Sequence, residues 1–235
     1  MECNDNNVRC HQCPVKDITS FNTLTKEQLD IIADSKTCVV FKKGQIIMHE
    51  GNKPNGVYCI QKGKCKTHKL GIEGKEQIIR FAKSGDMLGY RSILSDEPLS
   101  ASITALEDTY ACFVPRQELF DIIDLNSRFS MELMRIACHE LGEAGKIITN
   151  LAQKTVRERL AEMLLILEKT FGINEEGNLD VSLTREEIAN LVGTATESTI
   201  RLLSEFKEDK LIILKGRKIK LINKPKLAKI GNVYD

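Results

Sequence analysis

Residues 183–222 read LTREEIANLVGTATESTIRLLSEFKEDKLIILKGRKIKLI, and their pattern decides the fold of this end of the chain. Thr184 stands three residues before Glu187, the spacing of a capping box, and Leu183 and Ile188 flank it as a hydrophobic staple. A helix therefore starts there. Gly193 stops it, because glycine accepts the left-handed backbone of a helix end. Thr194 and Glu197 repeat the capping spacing, so a second helix is expected to start almost at once. Two helices joined so closely cross steeply, as in a helix-turn-helix. Beyond them, LIILKGRKIKLI reads as two short strands about the turn Lys215-Gly216-Arg217, a basic wing.

The second helix has two faces. Thr199, Leu202, Leu203 and Phe206 recur at helical spacing and are expected inside. Thr196, Glu197, Ile200 and Arg201 fall on the opposite side. A carboxylate accepts from the cytosine amino group, a guanidinium grips guanine through two bonds, and an apolar side chain suits a thymine methyl. That face is therefore a candidate for reading base edges in double-stranded DNA. Thr184 and Arg185 at the head of the first helix, with Lys215 and Arg217 in the wing, complete the candidate DNA-contact set. The plainer reading of Glu197 and Arg201 is a surface ion pair at i,i+4, which would also align the arginine.

Composition sets outer bounds. The chain has 235 residues, 42% of them hydrophobic, which suits two modest domains. Net charge is only +1, so overall charge does not advertise nucleic acid, but its distribution does. Between Lys207 and Lys229 there are nine lysines and arginines against Glu208 and Asp209, a patch that attracts phosphate. Phosphate contact is expected of the wing turn, and a solvated tail from Lys224 onward. No apolar run reaches a membrane span, and MECNDNNVRCHQC is too polar for a signal peptide. A cytoplasmic location is expected, where the eight cysteines are buried thiols, metal ligands or redox sensors rather than disulfides.

Elsewhere the pattern changes character twice. A short helix capped by Thr25 and Gln28 should bury Leu29, Ile31 and Ile32. From Thr37 to Pro115 short strands are expected at 39–41, 46–48, 57–61, 64–70, 76–81 and 101–105, with glycine turns between them, which implies a sandwich or double-sheet roll. A long helix follows from about Ser127 to Ala152. Leu133, Ala137, Leu141, Ala144, Ile148 and Leu151 make a near-heptad stripe along it. The stripe is either a dimer seam or a face laid on its own domain; two copies suit a helix-turn-helix that reads a palindrome. Val156 to Phe171 forms a further amphipathic helix. No nucleophile–base pair, paired carboxylates or Gly-rich phosphate loop stands at telling spacing, so no enzyme is expected.

This order of parts resembles the family of the cyclic-AMP receptor protein and the fumarate–nitrate regulator (CRP/FNR). The segments that carry the likeness are FKKGQIIMHEG, GVYCIQKGKCK, SGDMLGY, ALEDTYACFVP, KTVRERLAEMLLIL and LTREEIANLVGTATESTIRLL, spread over essentially the whole chain. The resemblance implies an α+β fold: a cysteine-containing segment (1–20), a cyclic-nucleotide-binding-type β-roll or jelly roll (21–124), a dimerisation helix (125–154) and a winged helix-turn-helix (155–235). It implies a homodimeric transcription regulator that contacts RNA polymerase. Glu197 and Arg201 fall on the family's base-reading positions for a palindrome with TGA half-sites, while Ile200 stands where the fumarate–nitrate branch has serine.

Two signals come with the resemblance. In the cyclic-nucleotide branch a glutamate holds the ribose and an arginine the phosphate; Tyr90 and Ser100 occupy those positions here, so cyclic AMP is not expected. The fumarate–nitrate branch ligates a [4Fe-4S] cluster through three N-terminal cysteines and one on a late strand of the roll. Cys10, Cys13 and Cys112 match three of those places, and Thr19 stands at the remaining one. Thiolates are what such clusters need, so Cys3, or Asp17 through oxygen, is the expected substitute. Reactive or structural thiols are the alternative, with an unidentified small ligand in the roll as the signal. Cys38, Cys59, Cys65 and Cys138 are expected as small buried hydrophobes, and His11 as exposed. The branch also places an aspartate on the dimer seam where this chain has Ala144, so the dimer should depend less on a bound signal.

Overall fold

The computed structural model describes residues 9–233. These fall into two units: one reaches from the N-terminal part through Lys69 and includes Ile79–Gly142, and the other comprises Leu70–Ile78 and the chain from Glu143 onward.

Helix α1 (Lys26–Ser35) begins as its sequence dictates. The Gln28 amide donates to the Thr25 hydroxyl at 3.3 Å, and the Thr25 amide donates back to the Gln28 side chain at 3.1 Å. Leu29 and Ile32 are buried, but Ile31 is 48% exposed, on the opposite side from the one expected. The strands are β1 (Thr37–Phe41), β2 (Ile46–Met48), β3 (Gly56–Lys62), β4 (Lys64–Leu70), β5 (Glu76–Lys83), β6 (Met87–Leu88), β7 (Ser102–Ala105) and β8 (Thr109–Pro115), with the short helix α2 (Tyr90–Ser95) after β6. They pair into two four-stranded sheets, β1-β8-β3-β6 and β2-β7-β4-β5. Strands distant in sequence become neighbours, the mark of a roll. Ile47, Met48, Ile60, Cys65, Leu88 and Ile103 belong to one buried cluster drawn from both sheets.

The first sheet has a second covered face. Helix α3 (Arg116–Leu125) and the start of α4 (Ser127–Gln153) join α1 there, and Val57, Val114, Leu119, Ile122, Phe129 and Leu133 share a core with Phe21, Leu29 and Ile32. Phe21 stacks on Phe129 with ring centres 5.6 Å apart. Leu133 is thus part of the roll's own core, not of a free stripe, and Ala137 packs partly against the same core. Further along α4, Leu141, Ala144, Ile148 and Leu151 are exposed.

In the second unit α5 (Val156–Phe171) starts at a capping box between Thr155 and Glu158 and buries Leu160, Ala161, Leu164 and Leu167. Helices α6 (Arg185–Val192) and α7 (Thr196–Glu208) follow, then the antiparallel strands β9 (Ile212–Lys215) and β10 (Lys218–Leu221), and α8 (Lys224–Ile230). The expected solvated tail is instead this last helix: Asn223 caps it, Leu227 is fully buried, and Lys224 Nζ lies 2.7 Å from Glu168 on α5. Among the described residues no helix is long and apolar enough to cross a membrane.

Candidate nucleic-acid interface and thiol site

The helix-turn-helix is built from local rules. The Thr184 hydroxyl accepts from the Glu187 amide at 3.0 Å, and the Thr184 amide donates to the Glu187 carboxylate at 2.8 Å. Gly193 ends α6 in the left-handed conformation (φ 74°), where a side chain would be strained. The expected second capping box does not form: α7 is capped by Ala195, which makes no side-chain bond, so Thr194 lies in the turn. Arg159 of α5 binds this joint instead, donating to the carbonyls of Val192 at 2.9 Å and Gly193 at 3.3 Å. Its position gave no sign of this in the sequence, because the contact is to backbone on a distant segment.

Helix α7 presents its two faces as read. Thr199, Leu202, Leu203 and Phe206 are buried, while Glu197, Ile200 and Arg201 are exposed and Thr196 is half-buried. Arg201 does not pair with Glu197. Its Nε lies 4.0 Å from Glu205, one turn further on, and its side chain remains 74% exposed. Glu205 is held in turn by Arg157, which also reaches Asp209 at 2.8 Å and sits over the Phe206 ring at 4.9 Å. In the wing Gly216 has φ 59°, the positive value that a two-residue hairpin with glycine in its first central place needs. Lys215 and Arg217 are exposed beside it. Arg185, expected at DNA, donates to the Gly216 carbonyl at 2.8 Å and so holds the wing turn against α6.

The thiols gather on the helix-covered face of the first sheet. Cys38 of β1 and Cys59 of β3 both stand directly opposite Cys112 of β8, so three cysteines form a row across three neighbouring strands. Above the row, Cys10 and Cys13 sit on the turns before α1, where His11 Nδ1 lies 3.1 Å from Asp30. His11 is thereby half-buried, not exposed as expected. Cys38 and Cys112 Sγ are 3.4 Å apart, and Lys36 Nζ lies 3.5 Å from Cys38.

Cys10, Cys13, Cys59 and Cys112 line one cavity of about 40 Å³ with Lys36 and a mainly apolar wall. Burial pushes the Cys10 thiol up to about 12 and raises Cys13 and Cys59 as well, each raised further by neighbouring sulfurs. Cys65 is buried as expected, Cys138 is exposed, and Cys38 and Cys59 belong to the gathering rather than to plain core. Cys3 lies outside the described residues. Asp17 is exposed and not on this wall. Among the described residues, no three His, Cys, Asp or Glu side chains are arranged to hold a single metal ion. A cluster makes a different demand, because it distributes its thiolates over several irons around a volume. In donor type and in their apolar enclosure, the cavity thiols fit such a group.

The cyclic-nucleotide positions lie elsewhere. Tyr90 and Ser100 line a space of about 60 Å³ together with Arg80 and Arg91. Both guanidiniums face Glu140, Arg91 at 3.6 Å and Arg80 in a hydrogen bond. Arg80 reaches this space from β5, away from the stretch that carries Tyr90 and Arg91.

The two halves of the chain match known profiles. Residues 38–126 match the cyclic nucleotide-binding domain, and residues 158–230 match the Crp-like helix-turn-helix domain. The chain belongs to the CRP/FNR family and is a DNA-binding transcription regulator. The Fumarate and nitrate reduction regulatory protein of Vibrio cholerae is 28% identical over 231 residues, covering 96% of this chain and 91% of that one. Transcriptional activator protein Anr of Pseudomonas protegens is 26% identical over 229 residues, covering 96% and 93%. Among solved structures, FixK2 from Bradyrhizobium japonicum superposes with a TM-score of 0.77 at 24% identity, over 85% of this chain and 99% of that one. These relatives are regulators, not enzymes.

Proposed function

We propose that two copies of this chain join along α4 and read a two-fold DNA site under the control of a redox signal received at the thiol cavity. The observation that carries the DNA reading is the exposed face of α7: Glu197, Ile200 and Arg201 point outward while Thr199, Leu203 and Phe206 lock the helix from behind. Charged and apolar groups so held can meet base edges in a major groove, with Lys215 and Arg217 of the wing on the phosphates. The half-site we propose has a TGA core, and the promoter complex includes RNA polymerase, which places the protein in the cytoplasm.

The α4 seam supports a second copy as the partner. Leu141, Ile148 and Leu151 are 75%, 68% and 43% exposed, large apolar side chains at near-heptad spacing that one copy leaves in water. The cofactor of this reading is an iron–sulfur cluster held by Cys10, Cys13 and Cys112, which would supply sensitivity to oxidants. These residues would bind and enclose the group. Phe21, eight residues past Cys13, stacks on Phe129 at the foot of α4, so a shift of the cysteine segment reaches the dimer helix through packed rings.

Fluorescence anisotropy on a labelled TGA palindrome, titrated with salt, tests the DNA reading. Affinity for the palindrome should fall linearly on a log–log plot and stay at least about a thousandfold above that for random duplex. Equal affinity for both duplexes would sink it. A second reading, a small ligand as the signal, draws on a cavity of about 400 Å³ lined by Arg80, Asp86, Tyr90, His139 and Glu140, large enough for a polar metabolite.

A further inference from the structure

The thiol cavity has four sulfurs on its wall, and only three of them stand at the places that the resemblance names. The fourth, Cys59, is contributed by the middle of β3. We propose that Cys59 supplies the fourth thiolate of the cluster, in the role that Thr19 cannot fill. This rests on the reading that Cys10, Cys13 and Cys112 hold an iron–sulfur group.

Three observations favour it. The register of β3 and β8 sets Cys59 directly opposite Cys112, on the same face of the sheet and under the same turns that carry Cys10 and Cys13. Thr19 also lines the cavity, but its hydroxyl is committed to backbone: it donates to the Lys16 carbonyl at 2.9 Å and accepts from the Phe21 amide at 3.2 Å. Coordination through that oxygen would unmake the cap that starts the turn bearing Phe21. Cys38, the other thiol in the row, is not on the cavity wall; its sulfur faces Cys112 and the Lys36 ammonium instead.

The chemistry balances without any transfer of electrons. Each thiol releases its proton to water as its sulfur bonds to iron. Four thiolates bring four negative charges, which the iron core offsets in part and the Lys36 ammonium on the wall offsets further. The cavity is only about 40 Å³, close to the volume of one water. Loading it therefore requires the wall to give way; of its four thiols, Cys10 and Cys13 stand on turns and Cys59 and Cys112 on paired strands. That division suits a sensor, with two ligands on paired strands and two on turns.

The test is anaerobic reconstitution of the full chain with ferrous and ferric iron in equal amounts and inorganic sulfide, which assemble the cluster without a further oxidant, read as iron and sulfide per chain and as the visible absorption spectrum. The unmutated chain should hold about four irons. Cys59→Ser should lose at least half of them, whereas Cys38→Ser and Thr19→Val should keep them. Adding Thr19→Cys to Cys59→Ser should restore the iron, which separates a ligand role from a folding defect. As a check without mutation, loading should shield Cys59 from N-ethylmaleimide in peptide mass spectra and leave Cys38 and Cys138 reactive. Full iron content in Cys59→Ser, or shielding of Cys38 in place of Cys59, overturns the assignment and leaves the cluster reading intact. An unmutated chain that takes up no iron overturns both.

Discussion

The Arg201 side chain is 74% exposed on the reading face, and its tie to Glu205 at 4.0 Å is loose. A surface pair of this kind contributes about 0–1 kcal/mol, so the guanidinium is free to leave it for a base. Arg201→Ala should weaken binding to the specific palindrome by about 1–3 kcal/mol per half-site and barely change binding to random duplex. An equal loss on both duplexes would mean that Arg201 touches only phosphate. Cys10 is the second residue with a measurable signature. Its thiol is raised by burial to about 12 in the folded chain, whereas an unfolded thiol titrates near 8.5. Between those values the folded state holds the extra proton, so this contribution is full below about pH 8.5 and is lost as pH rises toward 12. Denaturant midpoints should fall between pH 8 and 10.5, and less steeply in Cys10→Ser. Parallel curves for the two proteins would remove the effect. At this scale the sequence was legible where a rule is local. The boxes at Thr25 and Thr184 and the two faces of α7 follow from spacing alone. Cys59 was not legible, because its role depends on which strand lies beside β3, and an isolated cysteine in a strand looks like any small core residue.

The elements differ in how strongly their own residues announce them. Helix α5 was found with its full extent because its apolar residues, four of them buried, repeat at helical spacing. Helix α3 was missed: Pro115 caps it without a side-chain bond, and only Leu119 and Ile122 are buried from it. Strand β6 has two residues, too few for any alternation. The wing tail turned into α8 because Leu227 finds a buried place that lies off its own segment. The long helix α4 is the element with most at stake. Ala144 is exposed on the proposed seam, and Ala144→Asp would set like charges against each other across the two-fold axis. Dissociation of the dimer should rise by roughly tenfold, or about 1.4 kcal/mol. Sedimentation equilibrium of the two proteins checks this, and an unchanged constant would place the seam elsewhere.

At the scale of the whole molecule, a nearly neutral chain sets nine of its 34 basic residues between Lys207 and Lys229, where the wing is, so its charge is unevenly distributed. The roll was legible as a class from its glycine-punctuated strands, but not the order β1-β8-β3-β6, since sequence spacing is silent on which distant strands pair. The thiol cavity exists only because of that order. Phe21 joins the cysteine turns to the root of α4 and is only 7% exposed. Phe21→Ala should cost about 3–5 kcal/mol of stability, read as a lower denaturant midpoint, and a loss under 1 kcal/mol would show that the ring is not part of the core. The Phe21–Phe129 stack also bears on how the thiol segment can be studied. Clipping the chain back past Phe21 would pull a keystone out of the regulator's hydrophobic interior along with Cys10 and Cys13. A truncated protein that goes silent would then report collapse rather than deafness to its signal, and point changes at single cysteines are the cleaner way to ask what the segment hears.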